Sequence, residues 1–250
     1  MPTIKAQTTH PALVLPKKEN IHSFETFLNR YWIVFFAVLY GIFVGLPFLA
    51  PVLMVAGLNP AGQVIYFIYS FLCHQLPERS FFLFGQKFTY PLTQIQTVWR
   101  NTNDPAILRQ FIGNTVMGWK VAWSDRMVSM YTSVWIFGLI WWFLRQNIKP
   151  LPWWGLVVFL LPMALDGTSH LISDFSGIGN GFRDSNLWLA ILTHHVFPVS
   201  FYAGDAWGSF NSICRLLSGV FFGIGMVWFG FPYLNESFQS IQANTIRPNQ

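Results

Sequence analysis

Four polar clusters interrupt the otherwise apolar stretches of this chain. They are Cys73-His74-Gln75-Leu76-Pro77-Glu78-Arg79-Ser80, Ser124-Asp125-Arg126 with Ser129, Asp166-Gly167-Thr168-Ser169-His170, and Asn211 with Cys214, Arg215 and Ser218. Ionisable groups close to a membrane are costly, so such clusters mark pairing or function. Three chemistries are open to them. Asp125 and Asp166 could neutralise Arg126 and Arg215 in a structural ion-pair network. The surplus of guanidinium groups at Arg79, Arg126, Arg183 and Arg215, with Gln75 beside them, suits bidentate binding of a phosphate or carboxylate head group. His74, Asp166 and His170 offer two imidazoles and a carboxylate, a donor set for a divalent metal such as zinc or non-haem iron. His74 and His170 could also move a proton near neutral pH, with Asp125 and Asp166 orienting the arginines. These four are the candidate catalytic groups.

Composition says what must position them. Charged residues are 10% of the 250 and hydrophobic residues 53%, with 26 Phe, 12 Trp and a mean hydropathy of +0.41. A soluble fold carries about 25% charge, so an integral membrane protein is the remaining class. The net charge of +5 reads as basic residues at span ends rather than as a nucleic-acid surface.

No Asp, Glu, Lys or Arg occurs from Tyr31 to Pro77. As helix that run would be about 70 Å, more than twice the roughly 30 Å bilayer core, so it must turn back. Gly57-Leu58-Asn59-Pro60 is the natural place. The expected fold is an all-α transmembrane bundle of about five spans, at 31–56, 61–75, 121–144, 152–172 and 213–234. A segment 1–30 precedes them and a tail 236–250 follows. Span 1 is an uncleaved anchor, and the short second span, which Pro77 limits, either crosses at a thin place or re-enters, with crossing the favoured expectation. With the N-terminus cytoplasmic, this arrangement places 12 of the 15 Lys and Arg inside, leaving only Arg145, Lys149 and Arg247 outside. That is the bias expected of cytoplasmic loops. The connections 76–120, a solvated lobe, and 173–212, with a surface helix near 186–196, then share the inner side with all four clusters. Cys73 and Cys214 read as structural thiols in a reducing compartment. The adjacent His194 and His195 point different ways on a helix. Gly219-x-x-x-Gly223 and Gly41-x-x-x-Gly45 allow close helix approach.

The motif at 73–80, Arg126-x-x-x-x-Tyr131, Asp166-Gly167 and Arg215-x-x-Ser218-Gly219-x-x-x-Gly223 resemble the signature of an uncharacterised family of prokaryotic membrane proteins, a domain of unknown function. The resemblance covers roughly residues 65–235. It implies the architecture and a cytoplasmic-membrane location, and carries no reaction. The family's third span usually opens Cys-x-Arg-Cys with Gly on either side of the Tyr. Here those positions read Ser124, Met127, Ser129 and Ser133, and 173–210 resembles an insertion.

The leading expectation is a multi-pass protein of a prokaryotic cell membrane. Its charged cytoplasmic-face pocket would bind an amphiphilic anion in contact with the lipid bilayer: an isoprenoid phosphate, a phospholipid or a quinone. Chemistry at that site would be head-group hydrolysis or transfer. The alternatives are a non-catalytic subunit with protein partners in a larger membrane complex, and a metal-dependent membrane enzyme. Transport stands behind these, because no inverted repeat is visible.

Overall fold

A computed structural model describes residues 18–246. Of the expected terminal segments, residues 1–17 and 247–250 lie outside the described residues. The chain divides into two compact units, Ile33–Leu234 and the flanks Met1–Trp32 with Asn235–Gln250. Within the flanking unit, the Trp32 indole N–H donates to the Asn235 side chain and its ring stacks on Phe238.

The elements run α1 (Lys18–Val55), α2 (Asn59–Tyr69), β1 (Ser80–Leu83), α3 (Leu92–Val98), α4 (Pro105–Leu108), β2 (Gly113–Asn114), β3 (Gly118–Ser124), α5 (Asp125–Leu144), α6 (Trp153–Asp174), α7 (Phe182–Ser185), α8 (Leu187–Leu192), α9 (Val199–Tyr202) and α10 (Phe210–Ile246). Among the described residues four helical stretches are long and apolar enough to cross a membrane: Arg30–Val55, Asp125–Leu144, Trp153–Asp174 and Phe210–Ser240. The helical, polytopic architecture expected from composition is what forms.

Packing fixes the direction of each helix. In α10, Gly219 and Gly223 face Ser129 and Ser133 of α5 so closely that a Cβ at either glycine would collide with the serine hydroxyl. Trp141 then meets Phe231 further along, so α5 and α10 run parallel. Phe159 of α6 lies against Phe221 and Gly225, and the Trp228 indole donates to the Lys149 carbonyl, so α6 runs the other way. In α1, Phe43 meets Tyr131 while the Ala37 carbonyl accepts from Trp135, antiparallel to α5. Gly41 abuts Trp135 as the small-residue spacing suggested, whereas Gly45 faces open space. One end of the bundle therefore carries Ile33, the 145–152 connection and Leu234. The other carries the end of α1, the starts of α5 and α10, and the end of α6.

Two expectations need correction. The second span is an 11-residue helix, about 16 Å at ~1.5 Å per residue, half a bilayer core. It folds back along α1, with Gly62 against Met54 and the Tyr69 hydroxyl donating to the Phe43 carbonyl. The chain then returns, so that the Cys73 Sγ lies beside Ser124 at the start of α5. It enters and leaves at the same end of the bundle and is not among the four stretches long enough to span. The connections 76–120 and 173–212 consequently lie at the opposite end of the bundle from Ile33, not on the N-terminal side.

The second correction concerns Val121-Ala122-Trp123. They lie in the second half of β3, not in a span, and all three are fully buried. A short apolar run satisfies a buried strand as well as a helix. β3 pairs antiparallel with β1 (Ser80↔Ser124, Phe82↔Lys120) and with β2 (Gly113↔Trp119). This sheet carries the 73–80 cluster to the start of α5. The expected solvated lobe has its own small core around Phe82, Tyr90, Ile95, Leu108 and Phe111.

Candidate functional site

The four polar clusters meet at one end of the bundle, and two acids that spacing did not single out join them. Asp174 ends α6, beyond the expected span end, and Asp205 lies in the connection before α10. Four arginines (79, 126, 183, 215) thereby face four aspartates (125, 166, 174, 205), and the expected arginine surplus is neutralised overall.

The charges divide into two groups. In the first, Arg79 grips both Asp174 oxygens at 2.7 Å and donates through Nε to Asp205 at 2.9 Å. Arg215 holds Asp125 at 2.8 Å through Nε and Nη2, and reaches Asp205 through Nη1 and through the Asp205 carbonyl. Two guanidinium groups meet three carboxylates here, and each of their nitrogens has an acceptor. Asp125, proposed as a catalytic group, is buried as the counter-ion of Arg215.

In the second group one carboxylate serves two guanidinium groups. Asp166 accepts from Arg126 Nη2 at 2.6 Å and from Arg183 Nη2 at 2.7 Å. The Nε–H groups of Arg126 and Arg183 are buried without an acceptor. Arg183 Nη2 also lies 3.2 Å from His170 Nε2. A guanidinium can only donate, so Nε2 accepts, His170 is neutral and its proton sits on Nδ1, which has no acceptor among the described residues. Asp166 and His170 share the α6 face as the four-residue spacing predicts.

The excursion 175–209 is held by two asparagines. Asn186 is fully buried with φ +43, in the left-handed region that Asn tolerates, and donates to the Arg183 and Tyr202 carbonyls and to Asn211. Asn211 donates to the Arg183 and Gly204 carbonyls. This clasp carries Arg183 and Asp205 into the site. The expected surface helix is present as the shorter α8, with Leu187, Trp188, Ile191 and Leu192 exposed. His194 and His195, at positive φ, lie just after it and away from the site.

Two spaces border the second group. A cavity of about 190 Å³ is lined by His74, Arg79, Arg126, His170, Asp174 and Arg215, and so borders the first group as well. A groove of about 620 Å³ between α6 and α10 is apolar along Pro162, Leu165, Leu217 and Phe221 and ends on Asp166, Ser169 and Arg183.

The remaining predicted groups have structural partners. Gln75 turns its amide to the Tyr66 carbonyl, away from the arginines. His74 lines the cavity, its Nδ1 accepting the Leu76 amide. The expected metal set does not assemble: among the described residues no three His, Cys, Asp or Glu are placed to hold a metal, and both Asp166 oxygens already accept from arginine. Sequence reasoning passed over Glu78 and Lys120. Glu78 is buried and neither oxygen has a hydrogen-bond partner. Burial pushes its carboxyl up to about 7 against the pull of Arg79. Lys120 is fully buried, donates to the Gln75 and Arg109 carbonyls, and is pushed down to about 7 by burial.

Residues 113–229 match a family described as a predicted membrane protein, DUF2085. An uncharacterized protein of Methanocaldococcus jannaschii is 30% identical over 142 residues, 55% of this chain and 65% of that relative, so the chain spans less than two thirds of its length. No solved structure matches. These likenesses, with the four apolar helices, support an integral membrane protein similar to an uncharacterised membrane domain family. Asp125, Asp166 and Arg215 lie inside the matched residues and the 73–80 cluster lies ahead of them.

Proposed function

We propose that this protein binds an amphiphilic anion in a prokaryotic cytoplasmic membrane, with the head group on Arg126 and Arg183 and the tail in the groove between α6 and α10. One observation carries the reading: an apolar groove between α6 and α10 ends on Arg183, whose guanidinium shares the single carboxylate of Asp166 with Arg126. That group has one positive charge in excess and two unused N–H donors, and a phosphate oxygen would satisfy both needs. The other group, with three carboxylates for two arginines, supports the site without binding the anion. Isoprenoid phosphates and phospholipids fit better than quinones, because a quinone brings no charge to match. His170 and His74 stand beside the head-group position and are the groups placed to move a proton in hydrolysis or transfer there.

Mass spectrometry of gently solubilised protein tests this. The expected result is a retained phosphate-bearing lipid in wild type that Arg183→Ala releases while the protein stays folded. Wild-type protein free of any lipid at the site, or equal retention in the variant, would overturn it.

A further inference from the structure

We infer that the hairpin 187–202 is an interfacial anchor, seated in the head-group and upper acyl region of the leaflet beside the polar site, with its apolar side chains in lipid. Its partner is the bilayer itself, so the assignment holds whether or not the site binds an anion. Charge separates this hairpin from its neighbour. The 76–120 connection carries seven Asp, Glu, Lys and Arg, of which Lys87, Arg100 and Asp104 are exposed. From Ser185 to Gly204 there is none. Leu187, Trp188, Ile191 and Leu192 of α8 are nevertheless exposed, and Leu192, Val196 and Val199 are each at least 70% so. An uncharged apolar surface of this extent marks an interaction site.

The groove sets the depth of the hairpin. Trp188 lines it together with Pro162, Leu165 and Ser169 of α6 and Phe221 of α10, and its ring meets Phe210 edge-on at 6.0 Å. α6 has 22 residues, about 33 Å at ~1.5 Å per residue, so nearly all of it is needed to cross a core of roughly 30 Å. Ser169 is five residues in from Asp174, where α6 ends, or about 8 Å along the axis. An interfacial helix sinks its apolar face by about 5–10 Å, and the two depths agree. Leu165 is itself exposed on α6, so the surface of the hairpin is continuous with that of a span. The hairpin is also preformed. Its chain reverses at His194 and His195, both at positive φ, and the His195 amide donates to the Ala190 carbonyl at 2.8 Å. The buried Tyr202 hydroxyl bonds Thr193 and accepts the Phe197 amide, while Asn186 holds the Tyr202 carbonyl. Acyl chains cover what this fixed segment leaves exposed. Because Trp188 borders the groove, the hairpin forms one lip of the entry for a lipid ligand, a consequence that rests on the reading above.

Spin labelling of the full chain in phospholipid nanodiscs tests the assignment. Leu192→Cys and Val196→Cys carry the nitroxide. Val158→Cys, exposed on α6 and five residues in from its other end, gives the lipid reference, and Gln110→Cys, exposed in the 76–120 connection, gives the water reference. Cys73 is buried and Cys214 half-buried, and unsubstituted protein gives the background. The readout is the ratio of collisions with oxygen, which concentrates in lipid, to collisions with a water-soluble nickel chelate. At 192 and 196 the ratio is expected to be several-fold above that of Gln110→Cys and close to that of Val158→Cys. A ratio equal to that of Gln110→Cys would put the hairpin in water, and few collisions with either reagent would put a protein surface over it. Each of these results overturns the inference. The two ideas separate cleanly: protein that retains no lipid at the site yet gives the lipid-like ratio removes the ligand and leaves the anchor standing.

Discussion

The two guanidinium–carboxylate groups lie side by side and differ in one respect, the ratio of charges. Arg79 and Arg215 share Asp125, Asp174 and Asp205, and every guanidinium nitrogen of both has an acceptor. Arg126 and Arg183 share Asp166 and keep two idle N–H groups. The first network ties helices together with acid in excess, and the second keeps an excess of positive charge at the end of the α6–α10 groove. Side-chain type alone would have treated all four arginines alike. What separates them is which carboxylates the fold delivers.

The sharpest way to break the contrast is to remove a member of the saturated group. Arg215→Ala strands Asp125 and leaves Asp205 with a single partner, and such a loss costs about 3–5 kcal/mol. Thermal unfolding in detergent should show a large drop or failure to accumulate, and near-wild-type melting would mean the group is not holding the helices. Next in size is Gly219→Ala, which forces a methyl into Ser129 beneath the Asp125–Arg215 pair. Overpacking of this kind costs about 1–3 kcal/mol, and adding Ser129→Ala should restore part of the melting temperature. Arg183→Ala should cost less stability than either, because Asp166 keeps Arg126, while abolishing lipid retention. Equal destabilisation by Arg183→Ala and Arg215→Ala would erase the distinction between the groups.

The remaining test is in pH dependence. The folded-state pKa of Glu78 lies above its ordinary 4.5, at about 7. Its contribution to stability is therefore complete below about 4.5 and is lost as pH rises through about 7. Lys120, depressed from 10.5 to about 7, acts in the other direction: the unfolded chain holds its proton longer, so stability returns as pH climbs above about 7. Melting temperature should pass through a shallow minimum near neutrality, and Glu78→Gln should remove the acid-side decline. An unchanged profile in that variant would show that Glu78 does not titrate in this range.

Much of this was legible in the chain. The four spans came from uncharged runs and proline or glycine breaks, and the meeting of residues 73–80, 124–129, 166–170 and 211–218 came from their positions at span ends. Asp166 and His170 on one face followed from helical spacing. Three things were not legible. The apolar run into Val121-Ala122-Trp123 reads equally as strand or helix, because burial on both faces removes the periodicity that tells them apart. The apolarity of 61–75 met the composition of a span that either crosses or re-enters, and only the structure brings its end back beside Ser124. Asp174 and Asp205 were passed over because one falls after the hydrophobic segment ends and the other sits in an irregular excursion. Partners so far apart in sequence are brought together by the Asn186–Asn211 clasp, which leaves no local pattern.

The late position of Asp205 and Arg215 has a consequence for synthesis. When α5 and α6 have entered the bilayer, Asp125 still lacks its guanidinium and Arg79 has only Asp174. A polypeptide stopped short of α10 leaves Asp125 without the guanidinium that neutralises it. The charge network is therefore completed by the last helix, whose Arg215 joins Asp125 to Asp205.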